Sequence, residues 1–257
     1  MLETELNVGP LHMSLPRGDR RRHLRSDSKP APLVRGLDYQ RLSGSLHALS
    51  QALSARDAYT QAHSQRVARL AFELACLFGL SSEASHEIYL AGILHDIGKI
   101  GIPDAVLLKA EGLSEEDLRA IRRHPETGYK IVEQVETLQF ALPGILYHHE
   151  RWDGGGYPHG LVGESIPLMA RILAVADAFD AMTSSRPYRQ AMPLTQVRQI
   201  MKAGSGTHWD AKLIDSLMFW LDERSSTQRV PVRPPHSLIP LGSPVEYIHQ
   251  AIVNLSH

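Results

Sequence analysis

The segment Ile88-Tyr89-Leu90-Ala91-Gly92-Ile93-Leu94 is apolar throughout and runs directly into His95-Asp96-Ile97-Gly98-Lys99. A helix that is apolar on every side is a buried helix, so this stretch fixes a core element around which the rest of the chain must pack. It also delivers a carboxylate to the edge of that core. An unpaired buried carboxylate is costly enough to neutralise unless a strong partner compensates it, so Asp96 calls for a metal cation or a cationic side chain. The adjacent imidazole favours the metal. Taken alone, the pair fits equally well a satisfied core histidine beside a capping carboxylate.

The period around this element is helical. Leu42, Leu46, Leu49 and Leu53 recur at four, three and four, one face of a helix. Val67, Leu70, Leu74 and Phe78 repeat the pattern, with His63 heading that helix and Gly79 ending it. Further helices are predicted at about 83–98, 114–123, 125–135, 138–147, 167–184, 194–203 and 210–222. Strand signals and internal repeats are absent, and the predicted fold class is all-α.

The ends differ from this middle. Residues 1–38 contain Pro10, Pro16, Pro30 and Pro32 and the basic run from Arg17 to Arg25, and read as an arm or linker. Residues 39–224 form the predicted domain. Residues 225–257 form a Pro-rich extension, with Val245 to Leu255 as a short apolar tail that docks back as a helix. The formal net charge of -1 supplies no overall field for polyanions, so nucleic acid is not the expected partner and any nucleotide must meet locally placed cations. The single cysteine, Cys76, excludes an intrachain disulfide and reads as a small buried helical thiol in a reducing compartment. No segment reaches the roughly 18 to 20 apolar residues of a membrane span, and the expected location is cytoplasmic.

His63, His95, His124, His148 and His149 each fall at a predicted helix start, helix end or junction. Pro125 makes His124 part of a rigid junction, and His148-His149 closes the apolar run from Phe140 to Tyr147. In Ser165 to Ser185, one apolar stripe (Leu168, Ile172, Val175, Phe179, Met182) and a second (Ile166, Ala170, Leu173) run into Asp177 and Asp180. With both faces apolar, Asp177 faces packed surroundings, and neither stripe offers a basic residue one turn away. Costly carboxylates beside junctional imidazoles describe a site for metals of the Fe, Mn or Zn kind. Seven candidate ligands (His63, His95, Asp96, His124, His148, His149 and Asp177) are too many for one catalytic ion, and a bridged pair accounts for them. Between the clusters lies Glu150-Arg151-Trp152-Asp153-Gly154-Gly155-Gly156-Tyr157-Pro158. Its three glycines permit positive dihedrals and close approach of a ligand.

The motifs His95-Asp96-Ile97-Gly98-Lys99, His148-His149-Glu150-Arg151-Trp152-Asp153-Gly154, Gly156-Tyr157-Pro158 and Val175-Ala176-Asp177-Ala178-Phe179-Asp180-Ala181 resemble the HD-GYP branch of the HD phosphohydrolase superfamily. The resemblance runs from about Asp57 to Asp210. It implies an all-helical bundle with a metal centre that hydrolyses the bacterial messenger cyclic di-GMP to pGpG or on to GMP, and a role in second-messenger signalling. It implies the same seven residues as ligands to two divalent ions, Fe or Mn foremost. Asp96 would bridge them, with His63, His95 and Asp177 nearer one ion and His124, His148 and His149 nearer the other. Lys99 resembles the lysine that contacts the scissile phosphate, and Arg186 and Arg189 match the basic phosphate-binding positions. Gly156, Tyr157 and Pro158 would line the substrate site. Signalling proteins are expected partners through the GYP loop or the N-terminal arm, and a homodimer is compatible with the resemblance. The alternatives are hydrolysis of another cyclic dinucleotide or nucleotide, and a non-catalytic adaptor that binds cyclic di-GMP.

Two positions depart from the pattern. Some relatives carry an acidic ligand four residues before the first histidine, where this chain has Tyr59, so two ions and not three are expected. Many also carry an upstream sensory or receiver domain, where this chain has only the basic arm and one helix.

Overall fold

The segments with helical period form ten α-helices among the described residues of the computed structural model, which are 37–56, 58–107, 109, 112–185 and 190–227. In chain order they are α1 (Leu37–Arg56), α2 (Ala58–Leu77), α3 (Ser82–Leu94), α4 (Asp104–Leu107), α5 (Glu115–Ile121), α6 (His124–Val132), α7 (Leu142–Tyr147), α8 (Leu168–Thr183), α9 (Leu194–Ala203) and α10 (Ala211–Thr227). Three 3-10 helices join them, at Ile97–Gly101, Glu136–Ala141 and Gly163–Ser165. Extended pairing among the described residues amounts to two isolated bridges, Asp153 with Val162 and Ser205 with Trp209. The fold is all-α. The arm (1–38) and the C-terminal extension (225–257), with its tail from Val245 to Leu255, fall almost wholly outside the described residues, as do Arg186 and Arg189.

The core is centred on α2 and α3. Helix α3 is buried from Ile88 to Leu94 on every side, as an apolar run without a polar face must be. Against it α2 sets Val67, Ala68, Ala71, Leu74 and Ala75, all fully buried. Each large aliphatic side chain placed there contributes about 1.5 to 3 kcal/mol. Helix α8 closes the other side of α2 with Ile172, Leu173, Val175 and Ala176, and α10 adds Leu213, Leu217 and Leu221. A polar clasp ties α10 to α2: Trp220 Nε1–H donates to the Glu73 carboxylate, and Arg224 Nη2 donates to the same group at 2.9 Å.

Three expectations from the sequence need correction. Cys76 is exposed: the buried stripe of α2 runs through Leu74 and Ala75, and one further residue rotates the thiol out of it. His63 lies in the second turn of α2, because the stretch from Ala58 to Ala62 contains no helix breaker and the helix begins before it. The helix predicted to reach residue 98 stops at Leu94. There the chain leaves the axis through Asp96 (φ −97, ψ 6) into the 3-10 turn Ile97–Gly101, with Lys99 N–H bonded to Asp96 O at 2.9 Å. Gly98 makes this turn possible. A Cβ on it would lie 1.9 Å from the carbonyl oxygen of His124 and 2.5 Å from Gly128 N, so only glycine lets the turn press against α6. The consequence is functional, since this contact brings Asp96 and His124 together.

Candidate metal centre

The five histidines arrive from four helices. His95 is the C-cap of α3, His124 the first residue of α6, and His148 the C-cap of α7, with His149 next in the chain. His63 comes from within α2 and Asp177 from within α8. Three of the rings are tied down alike. Nδ1 of His95 bonds Gly92 O at 2.7 Å, Nδ1 of His124 bonds Ile121 O at 2.8 Å, and Nδ1 of His148 bonds Ile145 O at 2.9 Å. A carbonyl only accepts, so in each neutral ring Nδ1 carries the proton and Nε2 presents a lone pair to the interior.

Those lone pairs have no protein donor to meet. His95 Nε2 is buried without a hydrogen-bond partner. The Nε2 atoms of His124 and His148 face one another at 3.2 Å, a lone-pair contact that is unfavourable unless a cation lies between or beside them. Buried acceptors that face each other in this way fit a metal and fit little else.

The ligand atoms fall into two trios that could each hold an ion, His63 with His95 and Asp177, and His124 with His148 and His149. A third grouping, His95 with Asp96 and His148, spans them. Asp96 stands between the halves. Its Oδ2 lies 3.4 Å from His95 Nε2 and 3.8 Å from His63 Nε2, while its Oδ1 lies 3.4 Å from His124 Nε2. One carboxylate oxygen therefore faces each half, the disposition a bridging ligand needs. Lys99 Nζ donates to Oδ2, which puts the ammonium on the half that holds His63 and His95.

Electrostatics divides the halves further. Burial lowers the basicity of His124, His148 and His149, the last to about 4. This trio is neutral at physiological pH and gives up no proton to accept a cation. His63 is the opposite case. Burial opposes its charge, but hydrogen bonds to Asp177 and Asp180 outweigh burial and raise its pKa to about 9. In the metal-free protein a proton on His63 thus occupies part of a cation's role. Burial pushes the Asp96 carboxyl up, and the positive charge of Lys99, with that of protonated His63, outweighs it and holds the group well below the usual carboxylate range. Asp177, 3.1 Å from His63 Nε2, is held low in the same sense.

Two acidic residues that are not in the trios set the geometry. Asp180, one turn after Asp177, takes the Nδ1–H of His63 on Oδ2 at 2.7 Å and is gripped by Arg66 through Nε at 2.7 Å and Nη2 at 3.0 Å. It is an orienting carboxylate of the kind that backs metal-bound histidines. Asp180 is also more deeply buried than Asp177, whose side chain keeps 21% of its exposure. Glu150 is buried and accepts the backbone N–H groups of His159 at 2.8 Å and Leu161 at 3.0 Å. Both oxygens are thereby spent on closing the loop that follows His149.

That loop bends over the second trio. Tyr157 N–H bonds His149 O at 3.2 Å, and its ring stacks on the His149 ring at 4.8 Å with planes 25° apart. Of the three glycines only Gly154 has positive φ, at 82°. Gly156 is required for space instead. A Cβ there would sit 2.3 Å from Arg151 N, 2.5 Å from Glu150 Cα and 2.6 Å from His149 O. Pro158 follows through a cis peptide bond.

Comparison with known proteins agrees with this geometry. The family model described as HD domain matches residues 47–213. The chain is 43% identical, over 67% of its length, to the cyclic di-GMP phosphodiesterase response regulator RpfG of Xanthomonas campestris pv. campestris, and 38% identical, over 68%, to the 3'3'-cGAMP-specific phosphodiesterase 2 of Vibrio cholerae serotype O1. It spans 46% and 34% of those relatives, less than half of each. Among solved structures it resembles Bd1817, an HDG"Y"P protein from Bdellovibrio bacteriovorus, with a TM-score of 0.53 and 21% identity over 72% of this chain and 62% of that one. That likeness is one of fold. The motifs, the helical frame and the matched residues together establish that the chain belongs to the HD domain family, in its HD-GYP branch.

Proposed function

We propose that this chain is a metal-dependent phosphodiesterase that hydrolyses cyclic di-GMP. The observation that carries the reading is the pair of buried Nε2 acceptors facing each other across 3.2 Å, beside a carboxylate that turns one oxygen to each half of the centre. Two divalent ions of the Fe or Mn class suit a donor set of imidazoles and carboxylates. His63, His95 and Asp177 would hold one, His124, His148 and His149 the other, and Asp96 both. Bound there, such a pair supplies activation of water and neutralisation of charge at the phosphate under in-line attack.

The chain's own groups do the rest. Lys99, adjacent to Asp96, is placed to neutralise the scissile phosphate, with Arg186 and Arg189 assigned to the substrate phosphates from sequence. Tyr157 lies against His149, and burial pushes its phenol above the ordinary tyrosine range. Burial of the His124 trio keeps those rings neutral, in the form a metal requires. No described helix is long and apolar enough to cross a membrane, and the proposal places the chain in the cytoplasm, with residues 39–224 as the catalytic domain.

A second reading, hydrolysis of another cyclic dinucleotide, is favoured by one observation: the similarity to a relative named for 3'3'-cGAMP. A metal centre does not by itself fix a substrate. The test is a panel of cyclic di-GMP, 3'3'-cGAMP, cyclic di-AMP and linear pGpG incubated with metal-loaded protein and resolved by chromatography. Preferential loss of cyclic di-GMP supports the proposal, preference for 3'3'-cGAMP supports the second reading, and binding without turnover identifies an adaptor.

A further inference from the structure

A second cation stands against the loop that follows His149, on an element that none of the motifs assigns. Arg122 is the C-cap of α5, where its N–H bonds the carbonyls of Leu118 and Ala120. The preceding residue, Ile121, supplies the carbonyl that orients His124, and His124 itself follows two positions later. The backbone of Arg122 is therefore set by the same junction that sets the second trio. Its guanidinium carbon lies 5.8 Å from the centroid of the Tyr157 ring, and that ring is the one stacked on His149.

Arg122 is exposed, and among the described residues it forms no ion pair. Arg66, Arg151, Arg171, Arg198 and Arg224 each hold a carboxylate, whereas the neighbouring Arg119 and Arg123, like Arg122, hold none among the described residues. A bare cation at a helix end is ordinarily just solvated. Contact with the face of a tyrosine changes that, because it holds the guanidinium in place while leaving N–H edges free to donate.

The chemistry of a cyclic dinucleotide supplies the missing anion. Such a molecule carries two phosphodiesters, and when one lies at the metals the other projects away from them with a full negative charge. Lys99 belongs to the half containing His63 and His95, through Asp96 Oδ2. Arg122 lies on the side of His124, His148 and His149, against the Tyr157 ring that also stacks on His149. A cation held on the Tyr157 ring, and not hydrogen-bonded to Asp96 as Lys99 is, suits the second phosphate better than the first, and the forked geometry of arginine matches phosphate oxygens.

We infer that Arg122 is a substrate-binding residue that receives the non-scissile phosphodiester of the cyclic dinucleotide. This rests on the phosphodiesterase reading given above. The test compares metal-loaded wild type, Arg122→Ala and Arg122→Lys on cyclic di-GMP and on bis(p-nitrophenyl) phosphate, which has one phosphate only. For Arg122→Ala, KM for cyclic di-GMP should rise about tenfold, the loss of one charge-assisted hydrogen bond, with kcat changed much less. The loss on the single-phosphate substrate should be smaller by about the same factor, metal content should match wild type, and Arg122→Lys should recover part of the binding. Equal losses on both substrates would mean that Arg122 acts through Tyr157 and His149, and would overturn the inference, as would no loss on either. A wild type that cleaves the surrogate but not cyclic di-GMP overturns the substrate reading and the inference with it. A wild type that cleaves both, with Arg122→Ala unaffected, overturns the inference alone.

Discussion

Replacing Asp180 with asparagine should weaken one metal site and spare the other. In the native protein its carboxylate takes the Nδ1–H of His63 at 2.7 Å, two N–H groups of Arg66 at 2.7 and 3.0 Å, and the Ser184 hydroxyl at 3.1 Å. An amide of the same shape has a single acceptor oxygen. If that oxygen stays with Arg66, the amide NH2 faces His63 Nδ1, which can accept only when the ring moves its proton to Nε2. The proton then sits where His63 would offer its lone pair to a metal. Loss of such an orienting partner typically costs about 10- to 100-fold in metal affinity, or roughly 1.4 to 2.7 kcal/mol. The pairing of Asp180 with Arg66 adds little to fold stability, because the Arg66 side chain is 42% exposed and solvent screens it. Competition against a chromophoric chelator should resolve two affinities in the wild type. In Asp180→Asn one of them should fall by about 10- to 100-fold, while the one belonging to His124, His148 and His149 persists; the metal-free melting temperature should fall where His63 is protonated, because the variant gives up the Asp180 share of that pairing. Two wild-type affinities in the variant would refute the assignment of Asp180 as the group that orients His63.

Two further outcomes follow from the same geometry. Gly156→Ala should lower turnover of the metal-loaded protein by about 100-fold, because all three atoms that its Cβ would strike are backbone and the loop must shift, carrying Tyr157 off His149; wild-type kinetics in that variant would show that the loop does not shape the active site. In the metal-free protein, His149 titrates near 4 when folded and near 6.5 when unfolded, so the folded state binds fewer protons in that window and stability rises with pH. His63 titrates near 9 when folded, so its contribution is fully present below 6.5 and is lost as pH rises through 9. Urea unfolding of chelated protein should accordingly find greatest stability near pH 6.5, and a stability that climbs steadily to pH 9 would contradict the pairing of His63 with Asp177 and Asp180.

The candidate ligands are legible in the sequence for a physical reason. An apolar run that ends in His95-Asp96, and a helix apolar on two faces that still carries Asp177, set carboxylates against a packed core, and that conflict shows in the residues themselves. The supporting groups leave no such mark. Arg66 and His63 meet Asp180 across more than a hundred residues, so periodicity shows Asp180 only as another acid after a stripe. Glu150 reads as part of the loop motif, and its use of both oxygens on backbone N–H groups emerges only once the loop has folded back. Element ends were the other blind spot. The stop at Leu94 depends on Gly98 pressing against α6, a tertiary contact. The early start of α2 turned His63 from a presumed leading residue into one held within a helix, and the exposure of Cys76 follows from a rotation of one residue that composition does not encode. Arg122 carries no mark in the sequence, because nothing in its neighbourhood along the chain hints at Tyr157.

The central claim is a two-ion centre bridged by Asp96, and anomalous diffraction from crystals of anaerobically purified, metal-loaded protein tests it directly. Two peaks of comparable occupancy are expected, one bounded by His63, His95 and Asp177, the other by His124, His148 and His149, with the Asp96 carboxylate touching both. A third ion would need a ligand of its own, and the position four residues before His63 carries Tyr59, whose phenol ordinarily titrates near 10 and is a weak donor. A single peak, a third fully occupied peak, or two peaks with Asp96 bound to only one of them would contradict the account.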